Sequence, residues 1–209
     1  MPKDAQNLSR HGGLNVKLPL VAPGQSVGLL GGSFNPAHEG HLSISRHALN
    51  RLNLDQVWWL VSPGNPLKSH DDLAHIDTRV KAATEVAHDR RIVVTDFERE
   101  LPTPYTAATL KFLTSRLVGT NFVWLMGADN LAQIHLWQNW EMIFRLARIA
   151  VIDRPGYRMK ARASRAALKY ANAYVDERDA GGLAMMAPAA WTFLSVPLSS
   201  ASSTALRGG

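Results

Sequence analysis

SVGLL at Ser26–Leu30, continued by GGSFNPAHEGH at Gly31–His41, is the stretch on which the fold turns. A short, mostly apolar run ending in paired glycines reads as a buried strand entering a tight turn. His41–Leu52 then reads as a helix whose Leu42, Ala48, Leu49 and Leu52 face a sheet. Working outward, the same unit recurs. QVWWLVS (Gln56–Ser62), RIVVT (Arg91–Thr95), FVWLM (Phe122–Met126), Arg148–Ile152 and WTFLSV (Trp191–Val196) are further strands. Helices are expected over Ala74–His88, Tyr105–Leu117, Trp137–Phe144 and Arg158–Tyr170. Strands alternating with helices argue for an α/β fold, a Rossmann-like doubly wound parallel sheet with its ligand edge where the strands end. Residues 1–24 read as a loosely ordered leader, 25–198 as the domain, and 199–209 as the start of a small lid or subdomain.

The composition bounds the function. With 209 residues and 46% hydrophobic content, the chain can bury a sizeable core in one domain. No uninterrupted apolar stretch reaches membrane-spanning length, and residues 1–24 lack the core of a secretory signal. There is no cysteine, which removes disulfides, thiolate nucleophiles and cysteine metal sites and is compatible with a reducing cytoplasm. A net charge of +6 favours anionic ligands. The basic residues are scattered rather than gathered in a tract, so a site for several phosphates accounts for the charge as well as nucleic acid would.

Within Gly31–His41, glycines after a strand let a phosphate approach the backbone, and the following helix offers unsatisfied N–H groups. The stretch is neither GxGxxG nor a P-loop. His38 and His41, separated by Glu39 and Gly40, stand at the helix start. Two imidazoles there suit hydrogen bonding to phosphate oxygens and stabilisation of charge developing at phosphorus. A surface turn or part of a zinc site are the competing readings. Zinc is weakened because no third ligand is indicated. At the other end, Ser202–Arg207 (SSTALR) joins hydroxyls and a helix start to Arg207, a combination suited to an anion but also an ordinary capped helix.

Taken together, these segments resemble the HxGH nucleotidyltransferase superfamily, with HEGH at His38–His41 and SSTALR in the place of its ISSTxxR element. The resemblance implies that His38 and His41 contact the ATP phosphates and stabilise the transition state. Gly32, Ser33 and Phe34 would belong to the nucleotide-binding loop, and Ser203, Thr204 and Arg207 to a closing phosphate lid. Asn35 stands where many relatives have Asp, and Ala201 where the pattern has Ile. Lys68, in VSPGNPLKS, takes the place of a basic residue near the ATP phosphates.

The acceptor is indicated by two further segments. ERELPTPYTAATL and GADNLAQIHLWQNW resemble the nicotinate mononucleotide adenylyltransferase family. By that resemblance Tyr105 and Thr106 position the pyridine mononucleotide, Asp129 lies near its ribose, and Trp137 stacks on the nicotinate ring. Trp140 reads as packing. Read without the resemblance, Tyr105 and Thr106 are an ordinary helix start, and both tryptophans are core residues. Arg154, in VIDRPGY, is read either as approaching a phosphate or as structural. Trp58 and Trp59 are expected to pack, and Asp96, Glu98 and Glu100 to be loop charges.

The resulting expectation is adenylyl transfer from ATP to nicotinate mononucleotide in NAD biosynthesis, with Mg2+ accompanying ATP and no dedicated metal site in the protein. A cytoplasmic enzyme is expected, without a membrane partner, and a homo-oligomer is compatible with the sequence. Rival readings are transfer to phosphopantetheine, transfer to nicotinamide mononucleotide, a basic RNA-binding module, and a former enzyme kept for assembly. The RNA reading lacks a recognised motif or a compact basic stripe.

Overall fold

The structure, a computed structural model, describes residues 16–64 and 73–195. In chain order its elements are β1 (Ser26–Gly32), α1 (Glu39–Arg51), β2 (Gln56–Val61), α2 (Ile76–Val86), β3 (Ile92–Thr95), α3 (Thr106–Arg116) and β4 (Asn121–Gly127). The second half adds α4 (Ala128–Gln133), α5 (Trp140–Leu146), β5 (Arg148–Ile152), α6 (Arg158–Arg162), α7 (Arg165–Lys169), β6 (Tyr174–Val175) and β7 (Trp191–Leu194). All seven strands pair in parallel in the order β3-β2-β1-β4-β5-β7-β6. The chain winds outward from β1 to β3, returns to the centre at β4 and winds the other way. That reversal places a switch point between β1 and β4, where open α/β sheets bind ligands.

Each face of the sheet has its own core, because successive side chains on a strand point to opposite faces. Val27, Leu29, Trp58, Leu60, Phe122, Trp124, Ile149 and Val151 pack on the face covered by α3, α5 and α7. Val57, Trp59, Val61, Val123, Leu125, Ala150 and Ile152 pack on the other, beneath α1. Trp58 and Trp59 are therefore both fully buried although adjacent. Their indole N–H groups donate to Gln56 Oε1 and Ser45 Oγ, each at 2.7 Å. Ser45 in turn donates to the His41 carbonyl at 2.8 Å, tying the first turn of α1 to the sheet.

Several boundaries differ from the sequence reading. Arg158–Tyr170 is two helices, because Ser164 breaks the run and caps α7, its Oγ accepting from the Ala167 N–H at 3.2 Å. The helix expected from Trp137 begins at Trp140, after Asn139 turns the backbone through a left-handed φ of 53°. The short α4 and β6, unanticipated, fill the expected connections. The leader, expected to be loose over 1–24, is in contact with the core from Val16 onward through Val16, Leu18 and Val21. The lid segment 199–209 lies outside the described residues. Among the described residues no helix is long and apolar enough to cross a membrane.

Candidate active site

The β1–β4 register runs only to Leu30↔Leu125, whereas β1–β2 continues to Gly32↔Val61. Beyond Leu30 a crevice opens at the strand ends. Gly31 lies beneath the Trp124 indole: a Cβ there would meet the ring at 2.8 Å, so the close stacking of indole on backbone requires glycine. The cavity that results has a volume of about 590 Å3. Gly31, Gly32 and Ser33 form one wall, and Trp124, Leu136 and Trp137 form another. Tyr105, Thr106 and Glu98 line it from the start of α3 and the 3-10 turn before it. Five residues singled out by sequence thus meet here: Gly32, Ser33, Tyr105, Thr106 and Trp137. A smaller polar cavity of about 350 Å3 near Arg158, Tyr174 and Ser195 contains none of them.

His38 and His41 stand at the start of α1, outside the lining of this cavity, joined in a reciprocal cap. His38 Nδ1 accepts from the Gly40 N–H at 3.1 Å, and His41 Nδ1 accepts from the His38 N–H at 3.2 Å. The ring centroids are 3.9 Å apart. Because each Nδ1 is an acceptor, the neutral rings carry their hydrogen on Nε2. The motif therefore leaves two Nε2–H donors for a ligand, next to the positive end of a helix dipole. Burial, then the neighbouring His38 ring, and also the Arg154 charge, push His41 down to about 3. His38 is lowered by burial first and by Arg154 second. Both rings are thus held neutral and as hydrogen-bond donors at neutral pH.

Phe34 supports His41 from below. Its side chain is buried, stacks on Trp59 at 5.1 Å and touches the His41 ring at 4.7 Å. Only its backbone, with φ at 46°, is left to serve the nucleotide loop. Trp140 is core, edge-on to Phe144 and Tyr170.

Asp129 does not line the cavity. Its carboxylate accepts from Arg154 Nη1 at 2.7 Å, and its Oδ1 is buried without a hydrogen-bond partner. Gly127 makes room for this: a Cβ there would lie 2.3 Å from Asp129 Oδ1. Asp129 thus holds the guanidinium whose charge acts on both histidines. In the structure the partner of the Asp129 carboxylate is Arg154. Lys68, Ser203, Thr204 and Arg207 lie outside the described residues.

Two residues for which the sequence reading expected no part in the site matter here. Arg79 is only 3% exposed and donates to the carbonyls of Ser33 at 2.7 Å, Ser62 at 2.8 Å and Ala74 at 2.8 Å. It pins the loops that follow β1 and β2 to each other. Its position three residues after Ile76 and four before Ala83, on the helix's apolar stripe, was the available signal. Glu98, expected to be a loop charge, is 6% exposed and accepts from Thr109 Oγ1 at 2.6 Å. The turn of Phe97–Glu100 rotates it inward while Asp96 is left outside, bonded to Arg99. No sequence period marks that rotation.

Residues 29–209 match the family model described as cytidylyltransferase-like. Over 181 residues the chain is 54% identical to a probable nicotinate-nucleotide adenylyltransferase of Methylorubrum extorquens (strain PA1), covering 87% of this chain and 98% of that one. A protein of the same description from Parvibaculum lavamentivorans is 51% identical over 188 residues, covering 90% and 94%. Among solved structures, Plasmodium falciparum nicotinic acid mononucleotide adenylyltransferase complexed with NaAD superposes with a TM-score of 0.67 at 18% identity, covering 88% of this chain and 83% of that one. At that identity the likeness speaks for the fold.

Proposed function

The chain belongs to the nicotinate-nucleotide adenylyltransferase family, and from that premise we infer that it transfers the adenylyl group of ATP to nicotinate mononucleotide. The products are nicotinate adenine dinucleotide and pyrophosphate. A phosphate oxygen of the acceptor attacks the α-phosphorus of ATP. The new P–O bond forms as the bond from that phosphorus to the bridging oxygen breaks, and pyrophosphate leaves with the oxygen. The acceptor brings its own nucleophile, so the protein's task is orientation and charge stabilisation.

The observation that carries this reading is the reciprocal His38–His41 cap, which engages both Nδ1 atoms and so leaves Nε2–H as the donor of each neutral ring, within the field of Arg154. Such donors strengthen as negative charge grows on the phosphoryl oxygens, and their positioning requires no reorganisation. Arg154, held by Asp129, adds a fixed positive charge. In the cavity, Trp137 offers a face to the electron-poor pyridinium ring. The start of α3 at Tyr105 and Thr106 has no side-chain cap and suits the nicotinate carboxylate. Lys68, Ser203, Thr204 and Arg207 are assigned to the ATP polyphosphate by family resemblance alone.

Magnesium enters with the substrate, as counter-ion of the ATP phosphates, where it neutralises charge and favours pyrophosphate departure. The residues fit that role better than direct ligation. Both Nδ1 lone pairs are engaged by backbone N–H groups, and the Asp129 carboxylate is engaged by Arg154.

The test is magnesium-dependent pyrophosphate release from ATP with nicotinate mononucleotide, nicotinamide mononucleotide and phosphopantetheine as parallel acceptors. Strong preference for the first is expected. Turnover with phosphopantetheine alone would overturn the acceptor while keeping the chemistry.

A further inference from the structure

Glu98 has no part in the reaction described above, yet it is a carboxyl group lining the acceptor cavity. It sits under the first turns of α3, where Thr109 donates its hydroxyl to Glu98 Oε1 at 2.6 Å and its N–H to the Tyr105 carbonyl at 3.1 Å. One threonine thus connects the carboxyl to the residue that starts the helix. No cation answers it among the described residues. Among the described residues, Tyr105 is the only other titratable side chain in the cavity lining. From β2 and β4 the neighbouring lining and core residues are apolar or aromatic, Trp58, Leu60 and Trp124 among them. The charges of the surrounding turn face outward: Arg99 bonds to Asp96 and Asp77, each at 2.8 Å, and Glu100 is exposed.

We propose that Glu98 is a specificity-determining residue, whose protonation sets the preference between a pyridine mononucleotide bearing a carboxylate and one bearing an amide. The inference rests on the acceptor reading above. Burial raises the Glu98 carboxyl to about 7, against the smaller lowering effect of the Thr109 hydroxyl. Below that point the cavity is neutral and accepts the nicotinate carboxylate at the start of α3. Above it, a buried, ionised Glu98 opposes a second carboxylate in the same cavity, while the neutral amide is unaffected. Binding of the acid must therefore draw a proton onto Glu98, and binding of the amide must not.

The experiment compares kcat/KM for nicotinate and nicotinamide mononucleotides between pH 6 and 8.5, with Mg-ATP saturating. The acid-to-amide ratio is expected to fall about tenfold or more across this range in the unaltered protein. The phosphate groups of the two acceptors titrate alike and cancel in the ratio. Glu98→Gln keeps the acceptor atom for Thr109 and should hold the ratio at its low-pH value throughout. Thr109→Val removes the hydrogen bond that favours the ionised form and should move the inflection to higher pH. A readout independent of turnover is calorimetric titration of nicotinate mononucleotide at pH 7.5 in two buffers of different ionisation enthalpy. Net proton uptake is expected in the unaltered protein, beyond that seen with nicotinamide mononucleotide, and the excess should vanish in E98Q. A ratio independent of pH, or an inflection that survives in E98Q, overturns the proposal while leaving the acceptor reading intact. Pyrophosphate release with neither mononucleotide overturns both.

Discussion

Replacing His41 by Asn tests the claim that the fold keeps this imidazole neutral. The side-chain oxygen of Asn can still accept the His38 N–H, but it takes up no proton. In the native protein His41 titrates near 3, whereas its ordinary value is 6.5. A depressed histidine of this kind binds fewer protons folded than unfolded, so its contribution is fully present above 6.5 and is lost as pH falls from there towards 3. Between pH 7 and pH 5 the unfolded chain gains most of one proton and the native state almost none. The linkage amounts to about 2 kcal/mol of lost stability over that interval. His38 titrates in the same direction, but its depression comes from burial and Arg154, so it largely cancels between the two proteins. Urea unfolding of both proteins at pH 7 and pH 5, without nucleotide, measures the difference. The unaltered protein should lose about 2 kcal/mol more than His41→Asn on acidification, whatever the variant costs at pH 7. Equal losses in the two proteins would refute the neutral, buried imidazole and with it the two-donor account of the motif.

Three further outcomes follow from the site. Asp129→Asn keeps the shape but loosens Arg154, and kcat should fall on the order of 10- to 100-fold with the KM for nicotinate mononucleotide little changed; a KM effect alone would point instead to the ribose contact expected from sequence. Arg79→Met strips three carbonyls of a charged donor and should cost roughly 3 kcal/mol or more in urea unfolding, with turnover reduced even in the folded fraction; loss of less than about 1 kcal/mol would show that the two loops hold without it. Trp137→Ala should raise the KM for the pyridine mononucleotide about tenfold and leave that for ATP alone, the size of one lost aromatic contact, and steady-state kinetics with each substrate varied in turn separate the two.

Much of the fold is legible in local sequence because strand and helix differ in period. SVGLL, QVWWLVS and FVWLM are apolar runs that only a sheet covered on both faces can bury, and each is a central strand. The HEGH spacing also carried its local geometry, because a cap at His38 and a third helical residue at His41 face each other through a single turn. Where the local signal was even, the outcome depended on one hydrogen bond. Arg158–Tyr170 is rich in helix formers, and the Ser164 cap decided the break.

What tertiary structure alone decided is the partnership of groups distant in the chain. Asp129 meets Arg154 because β4 and β5 are adjacent and end at the same edge, a pairing that no local pattern in the sequence marks. Arg79 reaches Ser33 and Ser62 because β1 and β2 lie side by side, and Glu98 enters the acceptor cavity because a 3-10 turn swings it beneath α3. The reason is physical: period and capping act over a few neighbouring residues, whereas the neutrality of His41, the pairing of Arg154 and the charge of Glu98 depend on burial and field, which exist only once the sheet has brought its strand ends together.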